Sequence, residues 1–419
     1  MNFTRRTAWA VALALPLLAA CGGGGGDGDD NPAPETPAST ATISGRLVAP
    51  DSQTPIANAL VYVEDSAAAA QAAGAGREPA AAAAELACGA PPNAAWVATC
   101  TDANGNFSLK AAVPAAPTLV VVKGAFRQET EVALTASGTI ELGAVVLKAA
   151  ETGARLAVVT GSYDRIQDVL AKLGYGELEG GRLKLSTEKF ALYDGDSTLP
   201  DTYKPMDALF EDGDKDGKAD IYKYGVVFFN CGLEESVLGD ATKLATLKAY
   251  VEAGGRLYAS DLAYDFVEQS FPAFVNFEGS DEIASTAPEN LDAAELGESG
   301  ISVEASVDPA LAAWLGNVTC GSPAGSCLTA GGKVHIEGFL SGWAVITGAH
   351  QEQQSQVRTW ASGAVTFGGQ SQPVVRPLTV TFPVGKGRVT YTSYHTEPDA
   401  GEAGMLPQER ILQFIVFEL

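Results

Sequence analysis

Basic and sulfur-bearing residues are scarce in this 419-residue chain: 27 Lys plus Arg stand against 51 Asp plus Glu, with three His, three Met and six Cys. The difference, 27 − 51, is a formal charge of −24. So acidic a surface repels phosphate backbones, which argues against nucleic acid as a partner. Long apolar runs are scarce too. Only Ala8 to Ala20 approaches membrane length, and at roughly a dozen residues it falls short of the ~20 that a spanning helix needs. A polytopic membrane protein is thereby excluded. Disorder is excluded for most of the chain, because 46% of residues are hydrophobic and only 19% charged. At ~150 residues per domain the length allows two or three.

Arg5 and Arg6 precede the apolar run, the order of a secretory signal over residues 1–20. The run ends Leu18-Ala19-Ala20-Cys21, which resembles the bacterial lipobox. The resemblance implies that the Cys21 thiol takes a diacylglycerol and that fatty-acyl chains such as palmitate hold the protein to a lipid bilayer. The other reading is an ordinary signal cleaved near an Ala-x-Ala site, with Cys21 incidental. Residues 21–40 are rich in Gly, Asp and Pro, the composition of a tether that holds folded parts off a surface. Gly22 stands where an inner-membrane retention signal would have Asp, so the resemblance implies the outer membrane of a bacterial envelope. With Cys21 lipidated, Cys88 and Cys100 bracket one short loop and Cys320 and Cys327 another. Two local disulfides suit an oxidising compartment, and Cys231 is left alone.

From 41 to 149 the pattern is short alternating strands around turns such as Asp102-Ala103-Asn104-Gly105, which indicates an all-β sandwich. The order SGRLVAP, PIANALVYVE, TDANGNFSL and LVVVKGAF resembles the carboxypeptidase regulatory-like domain, a transthyretin-like or carbohydrate-binding-like fold. An Ala-rich insert from Ser66 to Ala87 departs from it. Carbohydrate binding follows by analogy, although Trp96 is the module's only Trp and Tyr62 reads as core.

From 153 to 419 strands and helices alternate: LAVVTG, then SYDRIQDVLAKLGY with Ser162 or Asp164 as its cap, KYGVVFFN, DATKLATLKAYVEAGG, RLYASD, a late hairpin and a final helix. The units KAYVEAGGRLYASDLAYDF and GKGRVTYTSYHTE resemble the class I glutamine amidotransferase-like superfamily, a flavodoxin-like α/β fold, with a β-rich insertion at about 279–373. Trp314, Trp343 and Trp360 read as core anchors of that insertion, and His335 and His350 as ordinary. Ligands of such folds bind at the carboxyl ends of the strands, here Ser162, Tyr163, Asn230, Cys231, Ser260, Asp261, His395 and Glu397. His395-Thr396-Glu397 matches the family's base and its orienting carboxylate. The family's nucleophilic cysteine is missing from the turn Ala259-Ser260-Asp261-Leu262, where Ser260 or Asp261 takes its place. Hydrolysis of glutamine by a Cys-His-Glu triad is therefore not expected. His395 is structural, or serves a hydrolase with Asp261, Ser260 or Cys231, or lines a pocket that binds without turnover.

The sharpest chemical motif is Asp212-Gly213-Asp214-Lys215-Asp216-Gly217-Lys218-Ala219-Asp220. Carboxylates at loop positions one, three, five and nine, Gly at six and the Lys218 carbonyl match most of an EF-hand-type loop, so Ca²⁺ is the expected cofactor. Lys223 stands at the twelfth position in place of Glu. The sequence thus describes a lipid-anchored surface protein: β-sandwich, then a calcium-stabilised α/β domain that meets a ligand, a carbohydrate or another surface protein.

Overall fold

The computed structural model describes residues 40–64, 88–112, 118–132, 138–148, 155–277, 294–340, 342–396 and 404–418. The signal, the tether with Cys21, the Ala-rich insert and Glu397 lie outside these residues. None of the described helices is long and apolar enough to cross a membrane.

Alternation over 40–148 produces seven strands: β1 (Thr40–Val48), β2 (Leu60–Glu64), β3 (Ala98–Cys100), β4 (Asn106–Ala112), β5 (Thr118–Lys123), β6 (Phe126–Glu131) and β7 (Gly138–Val146). They form a three-stranded sheet, β4-β1-β7, and a four-stranded sheet, β3-β2-β5-β6. The Asp102 carboxylate accepts from the Asn104 and Asn106 amides and fixes the turn into β4. Gly105 must be glycine there: its φ is +78°, and a Cβ would stand 2.3 Å from the Leu47 carbonyl oxygen. Ile43 and Leu47 from one sheet and Val61, Leu119 and Val121 from the other bury into one core. Disulfides join Cys88 to Cys100 and, far along the chain, Cys320 to Cys327.

The uninterrupted runs LAVV and VVFF suit strands covered on both faces. They become β8 (Leu156–Val159) and, after β9 (Ala191–Asp194) and β10 (Lys204–Pro205), β11 (Val226–Phe229). There follow β12 (Arg256–Ser260), β13 (Val303–Val307), β14 (Val334–Ile336), β15 (Arg358–Val365), β16 (Val374–Val384) and β17 (Gly387–Thr392). One ten-stranded sheet has the order β10-β9-β8-β11-β12-β17-β16-β15-β13-β14. From β10 to β17 neighbours run parallel, and from β17 to β14 they run antiparallel. The segment read as an insertion thus extends the sheet.

Alternate residues of the central strands face opposite layers. Leu156, Val158, Phe228 and Tyr258 meet α1 (Ile166–Leu170), whose last turn widens through Tyr175. Ala157, Val159, Phe229 and Leu257 meet α2 (Ala241–Glu252) and α3 (Tyr264–Ser270). Asp240 caps α2 by accepting from the Thr242 and Lys243 amides. Neither expected cap serves α1: its N-cap is Arg165, without a side-chain bond. Asp164 is instead fully buried and bonded to Thr396, beyond the end of β17, three strands away in the sheet.

Residues 39–419 form one compact unit. Its seam is α5 (Pro407–Glu418), mostly buried on its polar as well as its apolar side: Gln408, Glu409 and Gln413 are as buried as Ile411 and Val416. Phe417 packs on Phe126 of the small sheets at 5.2 Å, and Phe414 on Trp314 at 5.4 Å. Trp314, on α4 (Pro309–Leu315), donates its indole N–H to the Pro55 carbonyl at 2.9 Å. Trp314, Trp343 and Trp360 are all buried. We expect Trp314→Ala to cost about 3–5 kcal/mol in urea unfolding, as removal of a buried Trp does. A loss below about 1 kcal/mol would mean that this seam does not hold the small sheets.

Candidate functional site

Parallel strands end together, so the loops after β8, β11, β12 and β17 converge at one edge. The order β9-β8-β11-β12-β17 is the doubly wound 2-1-3-4-5 pattern, whose ligand crevice opens between its first and third strands. Here those strands are β8 and β11.

At the turn after β12, Ser260 and Asp261 differ in backbone conformation. Ser260 is extended, whereas Asp261 has φ +43° and begins the tight turn into α3. A non-glycine residue held there costs of order 1–3 kcal/mol, so its surroundings must over-determine it. They do. Asp261 Oδ1 accepts from the Ala344 amide at 2.9 Å, and its carbonyl accepts from the Tyr391 hydroxyl at 3.0 Å. Oδ2 stands 3.6 Å from Cys231 Sγ, which donates to it, and 2.9 Å from His395 Nε2. The ring is turned so that neither His395 nitrogen forms an aligned hydrogen bond. Ser260 Oγ accepts from the Cys231 amide at 3.1 Å.

Cys231, Ser260, Asp261 and His395 therefore meet, and none is more than 2% exposed. Burial, reinforced by the Asp261 carboxylate, pushes the Cys231 thiol far above its ordinary range. Burial alone would lower the pKa of His395, but the Asp261 and Asp164 carboxylates outweigh it and the shift is upward. Burial thus opposes ionisation of the thiol, while the two carboxylates favour the charged form of the imidazole.

The crevice itself is stitched shut. The Ser162 amide donates to the Gly232 carbonyl at 3.2 Å and the Tyr163 amide to the Cys231 carbonyl at 3.1 Å. Gly161 permits this approach, since a Cβ would stand 2.2 Å from the Cys231 carbonyl oxygen. Tyr163 is 55% exposed at the rim. Behind the seam, the Asn230 amide donates to the Asp164 carbonyl and to Gln167. Gln167 is a supporting residue that carries no mark in the sequence, and Asp164 is marked there only as a cap. A cleft of about 280 Å³, lined by Arg256, Lys386 and Arg388, lies at the opposite, amino-terminal edge of the strands.

In the acidic loop, Asp212, Asp214 and Asp216 bring their oxygens into one cluster. Asp220 is engaged elsewhere: Oδ1 accepts from the Gly213 amide and from Lys223 at 2.6 Å. Lys223 also reaches Asp214 at 2.7 Å. Hydrogen bonding to Lys223 pulls the Asp214 and Asp220 carboxyls below the usual range and raises the lysine. Three carboxylates fit a Ca²⁺ ion, while the twelfth-position lysine supplies a competing positive charge.

What the fold defines is a doubly wound α/β protein carrying two small sheets. No family model matches the chain, and no curated protein sequence does. Among solved structures, a ThuA-like protein from Bacteroides uniformis aligns at 13% identity over 64% of this chain and 91% of its own, with a TM-score of 0.34. A GMP synthase protein from Thermoplasma acidophilum aligns at 11% identity over 63% and 93%, with a TM-score of 0.33. A β-galactosidase from Bacillus circulans aligns at 11% identity over 63% of this chain and 30% of its own, with a TM-score of 0.28. Scores of this size carry no argument about activity, and the α/β assignment stands on strand order. The geometry makes its own prediction: in the folded protein Cys231 should react with iodoacetamide ~10³-fold or more slowly than in the denatured chain. Labelling by mass spectrometry at equal rates in both states would mean that the crevice is open.

Proposed function

We propose that the protein is a lipoprotein of a bacterial outer membrane, anchored through acylated Cys21. In this reading residues 21–40 are the tether and a carboxypeptidase regulatory-like sandwich is the spacer. The class I amidotransferase-like domain holds a ligand or a protein partner without turning it over. The observation that carries it is the elbow. A nucleophile there must be exposed and deprotonated, but the residue at φ +43° is a carboxylate already occupied by Ala344 and His395. The nearest thiol, Cys231, is neutral and buried. A sugar-binding role for the sandwich has less support. Trp96 stacks on buried Tyr62 at 5.5 Å, and no large aromatic ring is exposed among the described residues of the small sheets.

The test pairs fractionation with turnover. The parent chain should sediment with membranes and Cys21→Ser should not, and neither should release ammonia from glutamine or cleave a nitrophenyl ester above background. Turnover abolished by His395→Gln would replace the binding reading with a hydrolase using His395 with Asp261, Ser260 or Cys231.

Calcium belongs to the same proposal, held by Asp212, Asp214, Asp216 and the Lys218 carbonyl, with Asp220 available once Lys223 releases it. Competition from Lys223 places the affinity in the range of extracellular modules, about 10⁻⁴–10⁻³ M. Linkage then raises the melting temperature with added Ca²⁺, by up to about 2.7 kcal/mol of stability at a hundredfold excess over Kd. Lys223→Gln should shift the response to lower Ca²⁺. Melting curves indifferent to millimolar Ca²⁺ in both proteins would sink the assignment.

A further inference from the structure

Cys231 Sγ, one Asp261 oxygen and one His395 nitrogen come from the ends of three adjacent strands and lie within 4.8 Å of one another. The contact between Asp261 and His395 does not account for everything buried with them. Both nitrogens of His395 lack an aligned hydrogen bond although the residue is 1% exposed. Asn230 Oδ1, from the residue next to Cys231 in sequence, and Asp164 Oδ2, whose carboxylate acts on His395, are also buried without partners. Polar atoms hidden from water in a folded protein are normally satisfied, and such a group of exceptions points to an unfilled coordination or hydration site.

We propose that Cys231, Asp261 and His395 bind a divalent metal ion of borderline softness, with zinc the best fit. The donors decide the class. One sulfur, one imidazole nitrogen and one carboxylate oxygen suit zinc or cobalt, whereas calcium and magnesium take oxygen alone. Spacing agrees with the donors. Ligand atoms around a tetrahedral zinc stand about 3.3–3.8 Å apart, and Sγ to Oδ2 is 3.6 Å. The 2.9 Å between Oδ2 and Nε2 is a direct contact that widens when an ion enters. Three protein donors leave the fourth position to a water bound to the ion. Binding expels the thiol proton and leaves the imidazole neutral, the protons passing to solvent. In a closed crevice the ion is a structural pin across β11, β12 and β17, and this role is independent of whether the domain hydrolyses anything.

Cobalt is the probe, because a thiolate ligand gives it a sulfur-to-metal charge-transfer band that an all-oxygen site cannot give. In a Cys21→Ser background Cys231 is the only cysteine outside the two disulfides. The full chain, expressed in cobalt-supplemented medium, should carry one thiolate-bound Co²⁺, shown by that near-ultraviolet band and by intense visible bands of tetrahedral cobalt. Excess Zn²⁺ should bleach both, and Cys231→Ser should abolish the charge-transfer band. Native mass spectrometry of zinc-grown protein needs no substitution at the site and should show one retained zinc. Absence of both the band and the retained zinc would overturn the proposal, as would a band that survives Cys231→Ser.

Discussion

A single carboxylate organises the carboxyl edge of the sheet. Asp261 sits in a backbone conformation that L-residues avoid, and it is kept there by ties from four directions. These are an amide from the loop at Ala344, the Tyr391 hydroxyl, the Cys231 thiol and the His395 ring. The ties come from three parts of the chain: the loop at Ala344, the end of β11, and β17 with the residues that follow it. Removing the charge would leave the imidazole facing Asp164 alone and would free the strained turn to relax. The same placement keeps both carboxylate oxygens in contact with other groups, Oδ1 with the Ala344 amide and Oδ2 with the Cys231 thiol and the His395 ring.

The second organising element is α5. A helix that buries polar as well as apolar residues needs partners for its charges, and it has them. Glu409, with no exposed surface, pairs with Lys172 of the widened turn after α1 at 2.6 Å. Burial still raises the Glu409 carboxyl above its ordinary range, with Lys172 opposing. Near the other end Glu418 meets the buried Lys123 of the small sheets. Apolar contacts at Phe414 and Phe417 lie between these ion pairs. The pairs add little net stability once desolvation is counted, but they fix which way the helix lies.

The central strands are legible in the sequence because LAVV and VVFF can only be comfortable between two layers. The helix that follows the capping Asp240 is equally plain. Asp164 reads as a cap and is not one: a carboxylate just before a helix looks the same in sequence whether it turns to the helix or to Thr396, more than two hundred residues on. The sequence narrows the elbow to Ser260 and Asp261, and only the backbone angle separates them. The meeting of Cys231 with Asp261 is not legible either, because it depends on two strand ends lying side by side. Nor is the closure of the crevice, which rests on what Gly161 and Gly232 allow their backbones to approach. Residues 279–373 look like an excursion because their strands are short and mixed with loops, yet those strands add hydrogen bonds to the existing sheet.

The neighbour relations of β12 carry a kinetic consequence. One side of this strand pairs with β11, only about thirty residues earlier, but the other waits for β17, which follows after more than a hundred residues of intervening chain. Until β17 arrives during synthesis, the nascent sheet presents a raw apolar edge at its very middle. Such late, non-local pairing slows folding and leaves the edge open to strand-to-strand aggregation until the last tenth of the chain emerges.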